Sequence, residues 1–254
     1  MADDELIAEF THQAEAFAAS PVMHMAETLA GVVGLVPPGA DGRWLEAACG
    51  PGIIARALAS RVGSVHGVDL TPAMVAVAER EAARAGAGNL DFSVGDATDL
   101  AFADGSFDGA ITRFSLHHVP VPGRMLAELA RVVRPGGLVV VADHVTVADG
   151  PAAAWHGQLE RLRDPSHWAC LTPAHMRALG SAAGLELETG EVVPFTIDYE
   201  EWLQRGSGGP GNRELIAAAL AEPPGAADSF RVDTGRDGRR QLHLLQWSGR
   251  WRRR

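Results

Sequence analysis

The chain has 254 residues, 46% of them hydrophobic and 21% charged, with a formal net charge of −10 and a pI of about 5.4. This composition is typical of a globular α/β chain that forms one large domain or two small ones. The acidic balance argues against nucleic acid as a partner, because a nucleic-acid-binding surface has to neutralise phosphates with cationic side chains.

The N-terminal residues and the two cysteines bear on the cellular compartment and on disulfide or zinc sites. The first five residues, MADDE, are acidic and lack a signal-peptide pattern, and no apolar run approaches the length of a membrane span. Cys49 and Cys170 lie 121 residues apart, a spacing that favours neither a disulfide framework nor a zinc site. We therefore expect a cytoplasmic protein without a membrane partner, and a homodimer is left open.

Two helices are predicted at the start of the chain. Residues 4–18 carry apolar side chains at helical spacing, and a second helix is expected from Ser20 to about Val33. An apolar stripe of this kind serves a helix that packs on a core, and it equally serves a helix that covers a ligand. Both interpretations stay open.

The segment 43–52, RWLEAACGPG, is the most informative stretch of the sequence. An apolar run beginning at Trp44 favours a buried strand, and the apolar spacing from Ile54 to Val62 is that of a helix. Two glycines lie in the turn between them, where the backbone folds sharply and a ligand can approach the main chain. A strand, a glycine turn and a helix N-terminus form a nucleotide-type pocket at the carboxyl edge of a parallel sheet.

The acid at the end of this strand indicates the class of ligand. Glu46 would repel a pyrophosphate but suits a cationic ligand, and the third glycine of a dinucleotide-binding fingerprint is absent. The segment 46–52, EAACGPG, resembles motif I of the class I S-adenosyl-L-methionine (SAM) methyltransferases, whose pattern is acid-x-Gly-x-Gly-x-Gly. Ala48 stands where the first glycine of that motif usually lies, and we expect this small-for-small change to be tolerated.

The second predicted strand also ends in an acid. A strand over residues 64–69 places Asp69 at 23 residues beyond Glu46, near the offset at which a carboxylate meets a ribose diol. Asp69 could instead be a loop acid or the cap of the helix predicted over residues 72–85. In the context of the whole motif, the ribose role is the favoured interpretation.

A third strand, Leu90–Val94, is followed by Gly-Asp-Ala. The family resemblance implies that Asp96 accepts a hydrogen bond from the adenine amino group and that the Ala97 amide meets a ring nitrogen. The full cofactor-binding set that the resemblance implies is Phe17, Glu46, Ala48, Gly50, Gly52, Asp69, Leu70, Met74, Asp96, Ala97 and Arg113.

A fourth strand, residues 107–112, leads into the segment 113–120, RFSLHHVP. Its Leu-His-His-Val part resembles the ubiquinone/menaquinone-biosynthesis-like (methyltransferase type 11) subfamily, as does the segment 10–17, FTHQAEAF, which matches a helix that lies over the cofactor. A helix over about 121–133, an Arg-Pro-Gly-Gly stop and an apolar strand over 138–142 come next. Five strands alternating with helices predict a doubly wound sheet with right-handed crossovers.

The pattern loosens beyond residue 149. Helices are expected at about 152–162, 172–183, 197–205 and 212–221, a sixth strand at 185–193 and a seventh at 241–247. The basic segment 251–254 is expected to be a solvated tail.

The expected architecture is therefore a single α/β domain. Its sheet is predicted to be doubly wound, Rossmann-like, seven-stranded and mostly parallel, with helices on both faces and a helical cap. The expected parts are N-terminal lid helices at about 1–36, a core at about 42–143, a cap insert at about 151–183 and last strands that end at 247.

Methyl transfer from a sulfonium needs alignment of donor and acceptor, and it needs a base only where the acceptor holds its proton at neutral pH. The histidines expected where the strand ends and the cap converge are His117, His118, His144 and His167. Each is a candidate base or substrate-orienting group, and each serves equally as a residue that only shapes the pocket. No metal is expected, because the adjacent His117 and His118 cannot share a helix face and no His-x-x-x-His pattern accompanies them.

We therefore expect a SAM-dependent methyltransferase that acts on a small molecule at O, N or C, in natural-product (secondary) metabolism or quinone-type biosynthesis. Two alternatives remain: a SAM-binding protein that transfers no methyl group, and an NAD-type oxidoreductase. The missing third glycine counts against the oxidoreductase, as does the lack of lysine and hence of any Tyr-x-x-x-Lys pair.

Overall fold

The computed structural model describes residues 3–20, 26–148, 150–224 and 227–254. Its α-helices are α1 (Asp3–Ala19), α2 (Ala26–Gly34), α3 (Ile53–Leu58), α4 (Pro72–Arg84), α5 (Pro122–Val132), α6 (Gly150–Arg163), α7 (Pro173–Ala182), α8 (Tyr199–Arg205) and α9 (Arg213–Ala221). Its strands are β1 (Ala40–Ala47), β2 (Val62–Asp69), β3 (Leu90–Val94), β4 (Phe107–Arg113), β5 (Val133–Val145), β6 (Leu185–Asp198), β7 (Phe230–Thr234) and β8 (Arg240–Arg253). A short 3-10 helix, Leu116–His118, lies between β4 and α5.

The strands form one sheet in the order β3-β2-β1-β4-β5-β8-β6, and β7 also pairs with β8. The pairs among β1 to β5 are parallel, whereas β8 runs antiparallel to β5, β6 and β7. The expected doubly wound, mostly parallel fold is confirmed. Within the described ranges the sheet has eight strands rather than the expected seven. The additional strand is β7, which the sequence pattern did not indicate because it is short and its apolar alternation rests on Phe230 and Val232 alone.

Strand β8 continues well beyond the end expected for the seventh strand. It pairs with β7 near its start and with β5 over most of the rest. The expectation of a solvated tail at 251–254 is wrong, since Trp251 is buried. The Arg253 guanidinium donates hydrogen bonds to the carbonyl oxygens of Arg131 and Val133. The consecutive arginines after Trp251 show no apolar alternation, so the hydrophobic pattern did not predict that the strand continues here.

Helices cover both faces of the sheet, and each face has its own apolar core. On one face α5 and α7 pack against the parallel strands and against Trp247 and Trp251 of β8. On the other face α2 and α3 contribute Val32, Ile54 and Leu58. Burial of each such large side chain stabilises the fold by roughly 1.5–3 kcal/mol, so the two layers hold the carboxyl edge of the sheet in place.

A third apolar cluster lies beyond that carboxyl edge and forms the cap. It is built from α6, α8, α9, β7 and the outer ends of β6 and β8, through Leu159, Phe195, Ile197, Tyr199, Trp202, Leu203, Ile216, Phe230, Leu242 and Leu244. Helix α7 lies outside it, because Met176 packs in the main core and Gly180 lies against the Trp251 ring. The cap therefore draws on later residues than the expected insert at about 151–183, of which it keeps α6.

Two element boundaries differ from the expected ones for local reasons. Strand β6 continues to Asp198, and the Asp198 carboxylate accepts a hydrogen bond from the Glu201 N–H at 3.0 Å, which caps α8 at Tyr199. Helix α3 ends at Leu58 and does not include Val62, to which the helical spacing had extended, because Val62 is the first residue of β2.

The remaining differences concern the residues at which β5 and α2 begin. The Arg-Pro-Gly-Gly segment, residues 134–137, belongs to the start of β5, where the pairing with β4 shifts register. The expected start of the second helix falls on residues outside the described ranges, and α2 is described from Ala26. In the part of the chain that the structure describes, no helix combines the length and apolarity needed to cross a bilayer.

Candidate functional site

A cavity of about 900 Å³ lies at the carboxyl edge of β1, β2, β3 and β4, with α1 along one side. All of the expected cofactor-binding residues except Gly52 line it: Phe17, Glu46, Ala48, Gly50, Asp69, Leu70, Met74, Asp96, Ala97 and Arg113. The topology of a parallel sheet thus brings together residues from five separate segments.

The turn after β1 presents its backbone to this cavity. Ala48, Gly50 and Gly52 have φ angles of 51°, 50° and 70°, in the left-handed region. The Gly50 N–H donates to Asp69 Oδ2 at 2.8 Å, which ties the turn to the end of β2. A Cβ at Gly52 would lie 3.0 Å from the Phe92 ring, so glycine there serves packing against the sheet, and Gly52 is not among the residues that line the cavity.

The left-handed conformation of Ala48 leads to a stability prediction. An L-residue in this region costs roughly 1–2 kcal/mol, which glycine avoids. Part of that gain is lost to the greater entropy of glycine in the unfolded chain, so Ala48→Gly should raise the free energy of unfolding in urea by about 1 kcal/mol. Ala57→Gly, in α3, is the matched control and should be destabilising. Equal destabilisation of the two variants would contradict strain at Ala48.

Carboxylates reach the cavity from the ends of β1 and β2. Glu46 is 3% exposed, its Oε2 accepts the Ala55 N–H at 2.8 Å, and burial nevertheless raises its pKa to about 8. Asp69 accepts the Thr71 N–H at 2.9 Å in addition to that of Gly50. Burial raises the pKa of Asp69 as well, against the lowering effect of these two N–H groups.

A third carboxylate and a buried arginine complete the polar wall. Asp96, after β3, accepts hydrogen bonds from the N–H and the hydroxyl of Thr98 at 2.7 and 2.9 Å. Arg113, at the end of β4, is 7% exposed, and its guanidinium lies 4.8 Å from the Phe114 ring centroid. Burial lowers the pKa of Arg113 to about 10, although the charge of Glu46 opposes this shift. The cavity therefore pairs several acids with one deeply placed cation.

A second cavity, of about 490 Å³, adjoins the first and shares Phe17, Phe114 and His118 with it. Its apolar wall comes mostly from the cap and consists of Phe195, Ile197, Trp202 and Leu244. Its polar wall consists of His117, His144, Glu160, Arg163, Asp164 and Arg205. A ligand held here would contact aromatic rings on one side and ionisable groups on the other.

The four predicted histidines lie together, and three of them line the second cavity. The His117 ring centroid is 4.1 Å from those of His118 and His144 and 5.5 Å from that of His167, which lines neither of the two cavities described. Burial lowers the pKa of His117, His144 and His167 well below the ordinary value, so these imidazoles are neutral near pH 7.

His117 differs from the other three in having a buried carboxylate at hydrogen-bond distance. Its Nδ1 lies 2.6 Å from Asp143 Oδ1, and Asp143 also accepts the backbone N–H groups of His117 and His144 at 3.2 and 2.8 Å. An ionised Asp143 holds the proton on Nδ1 and leaves the Nε2 lone pair of His117 free. His118 Nδ1 instead lies 3.0 Å from the Ser166 hydroxyl.

Several residues that the sequence pattern did not single out also reach this region. Cys49 lines the first cavity, whereas His156 of α6 and Cys170 lie beside His144. The spacing of His156 and Glu160 places both on one face of α6, and this periodicity is the signal that could have indicated His156. Cys170 carries no such signal, because its neighbours come from distant parts of the chain.

Comparisons with known proteins are consistent with one another. A family model described as a methyltransferase domain matches residues 45–141. The uncharacterized methyltransferase YcgJ of Bacillus subtilis (strain 168) is 31% identical over 231 residues, which are 90% of this chain and 91% of that protein. Its crystal structure has a TM-score of 0.81 at 28% identity and covers 90% of this chain and 98% of that one.

Two further relatives extend the comparison. A demethylmenaquinone methyltransferase of Bacillus pumilus (strain SAFR-032) is 30% identical over 203 residues, 75% of this chain and 74% of that protein. A geranyl diphosphate methyltransferase, solved in complex with SAM, has a TM-score of 0.60 at 19% identity. It covers 88% of this chain and 84% of that one, which shows a shared fold.

Proposed function

Since the chain belongs to the class I SAM-dependent methyltransferases of the ubiquinone/menaquinone-biosynthesis-like (type 11) subfamily, we propose that it methylates a small molecule held in the second cavity. SAM is the cofactor, and when bound it supplies an electrophilic methyl group. The observation that carries the proposal is the junction of the two cavities at Phe17, Phe114 and His118. Methyl transfer needs donor and acceptor sites that meet, because alignment is the main contribution of the protein.

The first cavity is the proposed SAM site. SAM carries a sulfonium, an ammonium and a carboxylate, and the three acids that face one arginine in this wall match its net positive charge. Arg113 holds the carboxylate of the cofactor, and Glu46 balances its ammonium. Asp69 would accept from the ribose hydroxyls and Asp96 from the adenine amino group, since each carboxylate offers about four acceptor positions and the protein does not use all of them.

The second cavity favours an aromatic acceptor with an ionisable hydroxyl, such as a phenol or a hydroxyquinone. Phe195 and Trp202 contribute aromatic surface to the cavity wall, while His117 offers a lone pair whose orientation is maintained by Asp143. His117 would take the hydroxyl proton, and the oxygen or a conjugated ring carbon of the resulting anion would be the nucleophile for the methyl group that bound SAM supplies, with S-adenosylhomocysteine as the leaving group. A quinone-type or natural-product role agrees with this chemistry, and the demethylmenaquinone methyltransferase relative supports it.

The raised pKa of Glu46 predicts proton release when SAM binds. With a pKa of about 8, Glu46 is mostly protonated at pH 7 in the free protein, and pairing with the cofactor ammonium would ionise it. Calorimetry at pH 7 in buffers of different ionisation enthalpy should detect release of about 0.9 proton per SAM. SAM affinity should fall as the pH falls below 8, because only the ionised carboxyl pairs with the cation. Unchanged release in Glu46→Gln would contradict the assignment.

The proposed activity is tested with a panel of small phenols and hydroxyquinones. Purified protein, SAM and each compound are incubated, and mass spectrometry follows S-adenosylhomocysteine and any product heavier by one methylene. We expect stoichiometric formation of both with at least one compound of this class. Protection against thermal unfolding by SAM and not by NAD is also expected. SAM binding without transfer to any phenol, hydroxyquinone or related amine would favour the non-methylating alternative.

A further inference from the structure

Cys170 lies at the centre of three imidazoles that the proposed reaction does not use directly. Its Sγ is 3.3 Å from His144 Nε2, 3.7 Å from His156 Nε2 and 3.9 Å from His167 Nε2. His144 is at the end of β5, His156 is on α6, and His167 and Cys170 lie in the segment between α6 and α7. His156, His167 and Cys170 line neither of the two cavities described above.

We propose that His144, His156, His167 and Cys170 bind one divalent transition-metal ion, with zinc as the best fit. Zinc bonds of about 2.0–2.1 Å to nitrogen and 2.3 Å to sulfur in a tetrahedron place the sulfur about 3.6 Å from each nitrogen. The three observed Sγ–Nε2 distances bracket this value. The ligand atoms of His144, His156 and Cys170 all lie within 4.8 Å of one another, whereas His167 lies outside this set and its ring has to move to complete the tetrahedron.

The cluster is poorly satisfied as a set of ordinary hydrogen bonds. A single S–H can donate to only one of the three Nε2 atoms that face it, and sulfur is a weak acceptor for the others. A single metal ion would engage the sulfur and the three Nε2 lone pairs at once.

The surroundings favour a cation at this place. Asp143, Glu160 and Asp164 are buried beside the cluster, while Arg163 pairs with the last two. A zinc ion with one thiolate carries one net positive charge, which offsets the excess of buried carboxylates.

Outer contacts and ligand chemistry point to the kind of ion and its role. His156 Nδ1 lies 3.3 Å from the Ser229 hydroxyl, a contact that orients the ring as metal-bound histidines require. Imidazole and thiolate ligands select zinc or similar ions over magnesium and calcium, which prefer oxygen. Four protein ligands leave no open position, so the ion is structural and fastens α6 of the cap to β5 of the sheet.

The expectation that no metal binds rested on the adjacent His117 and His118, on the lack of a His-x-x-x-His pattern and on the spacing of the two cysteines, and it did not consider this cluster. His156 is one turn from Glu160 within α6, and Cys170 is three residues from His167. The four ligands come from three chain segments, so their convergence depends on the folded structure and has no contiguous motif.

The full chain, expressed with zinc or with cobalt supplied, tests the proposal. Elemental mass spectrometry should find about one zinc ion per chain. The cobalt form should show the visible bands of tetrahedral Co²⁺ together with a thiolate-to-metal charge-transfer band. Cys170→Ala and His156→Ala should lose the metal, whereas Cys49→Ala, the matched cysteine control, should keep it.

Two results would overturn the metal site. One is folded wild-type protein that takes up no zinc and no cobalt on dialysis against either ion. The other is wild-type stoichiometry in folded Cys170→Ala and His156→Ala. Should those variants fail to fold, the charge-transfer band of the wild-type cobalt protein decides thiolate ligation without them: its presence supports the site and its absence refutes it.

Discussion

Replacing Asp69 with alanine is expected to weaken binding of SAM and of S-adenosylhomocysteine by roughly 10²–10⁴-fold. Two hydrogen bonds from ribose hydroxyls to a charged acceptor contribute about 1.5–3 kcal/mol each. The variant also loses the contacts from the N–H groups of Gly50 and Thr71 to this carboxylate, which hold the glycine turn. Titration calorimetry with S-adenosylhomocysteine measures the effect directly, because no acceptor is needed.

Two control variants separate the ribose contact from a general loss of structure. Asp91→Ala removes an exposed carboxylate of β3 that does not line the cavity, and its affinity should match wild type. Asp69→Asn keeps the shape and one acceptor oxygen, so we expect an intermediate loss. Wild-type affinity in folded Asp69→Ala would refute the assigned cofactor site.

Replacing His117 with alanine is expected to lower kcat by about 10²–10⁴-fold, the usual contribution of a positioned base. The dissociation constant of SAM should stay near the wild-type value, because His117 lines the second cavity and not the first. Added imidazole should restore part of the rate in His117→Ala, since a free base can enter the space that the side chain leaves. A purely structural role would show no such rescue.

Asp143 is expected to act as a positioning residue for this base. Asp143→Asn cannot hold the proton on His117 Nδ1 as a carboxylate does, so kcat should fall while the SAM dissociation constant changes little. His175→Ala on α7 serves as a histidine control, because His175 is exposed and lines neither cavity. An unchanged kcat in folded His117→Ala would exclude the base role.

The convergence of the proposed cofactor residues on one cavity was predictable, because each of them is marked locally in the sequence. Glu46, Asp69 and Asp96 each lie at or just after the end of a strand, and parallel strands collect such residues at one edge. The glycine turn after β1 follows the same rule, but its position in a motif could not reveal that a side chain at Gly52 would collide with the Phe92 ring.

The acceptor half depends on contacts between distant segments, which no local pattern encodes. Trp202 and Phe230 meet in the cap, with ring centroids 5.4 Å apart, although they are far apart in sequence and β7 is too short to stand out. The pair His117–Asp143 likewise joins the 3-10 helix to β5. Apolar spacing predicts that helices and strands exist, but it does not predict which of them enclose a substrate.

The unbroken course of β8 constrains how ligands enter. The same strand carries Leu244 in the acceptor cavity and Trp251 in the main core, with ladder partners on β5 and β6 along the way. An outward rigid-body rotation of the cap would break the hydrogen bonds between β8 and its partners β5 and β6. Helix α1, in contrast, is held to the cap by side-chain contacts, such as the Gln13 amide donating to the Asp164 carboxylate at 3.0 Å, which can break without disrupting a strand ladder. We therefore expect the entrance to open by displacement of α1, with the cap remaining fixed to the sheet.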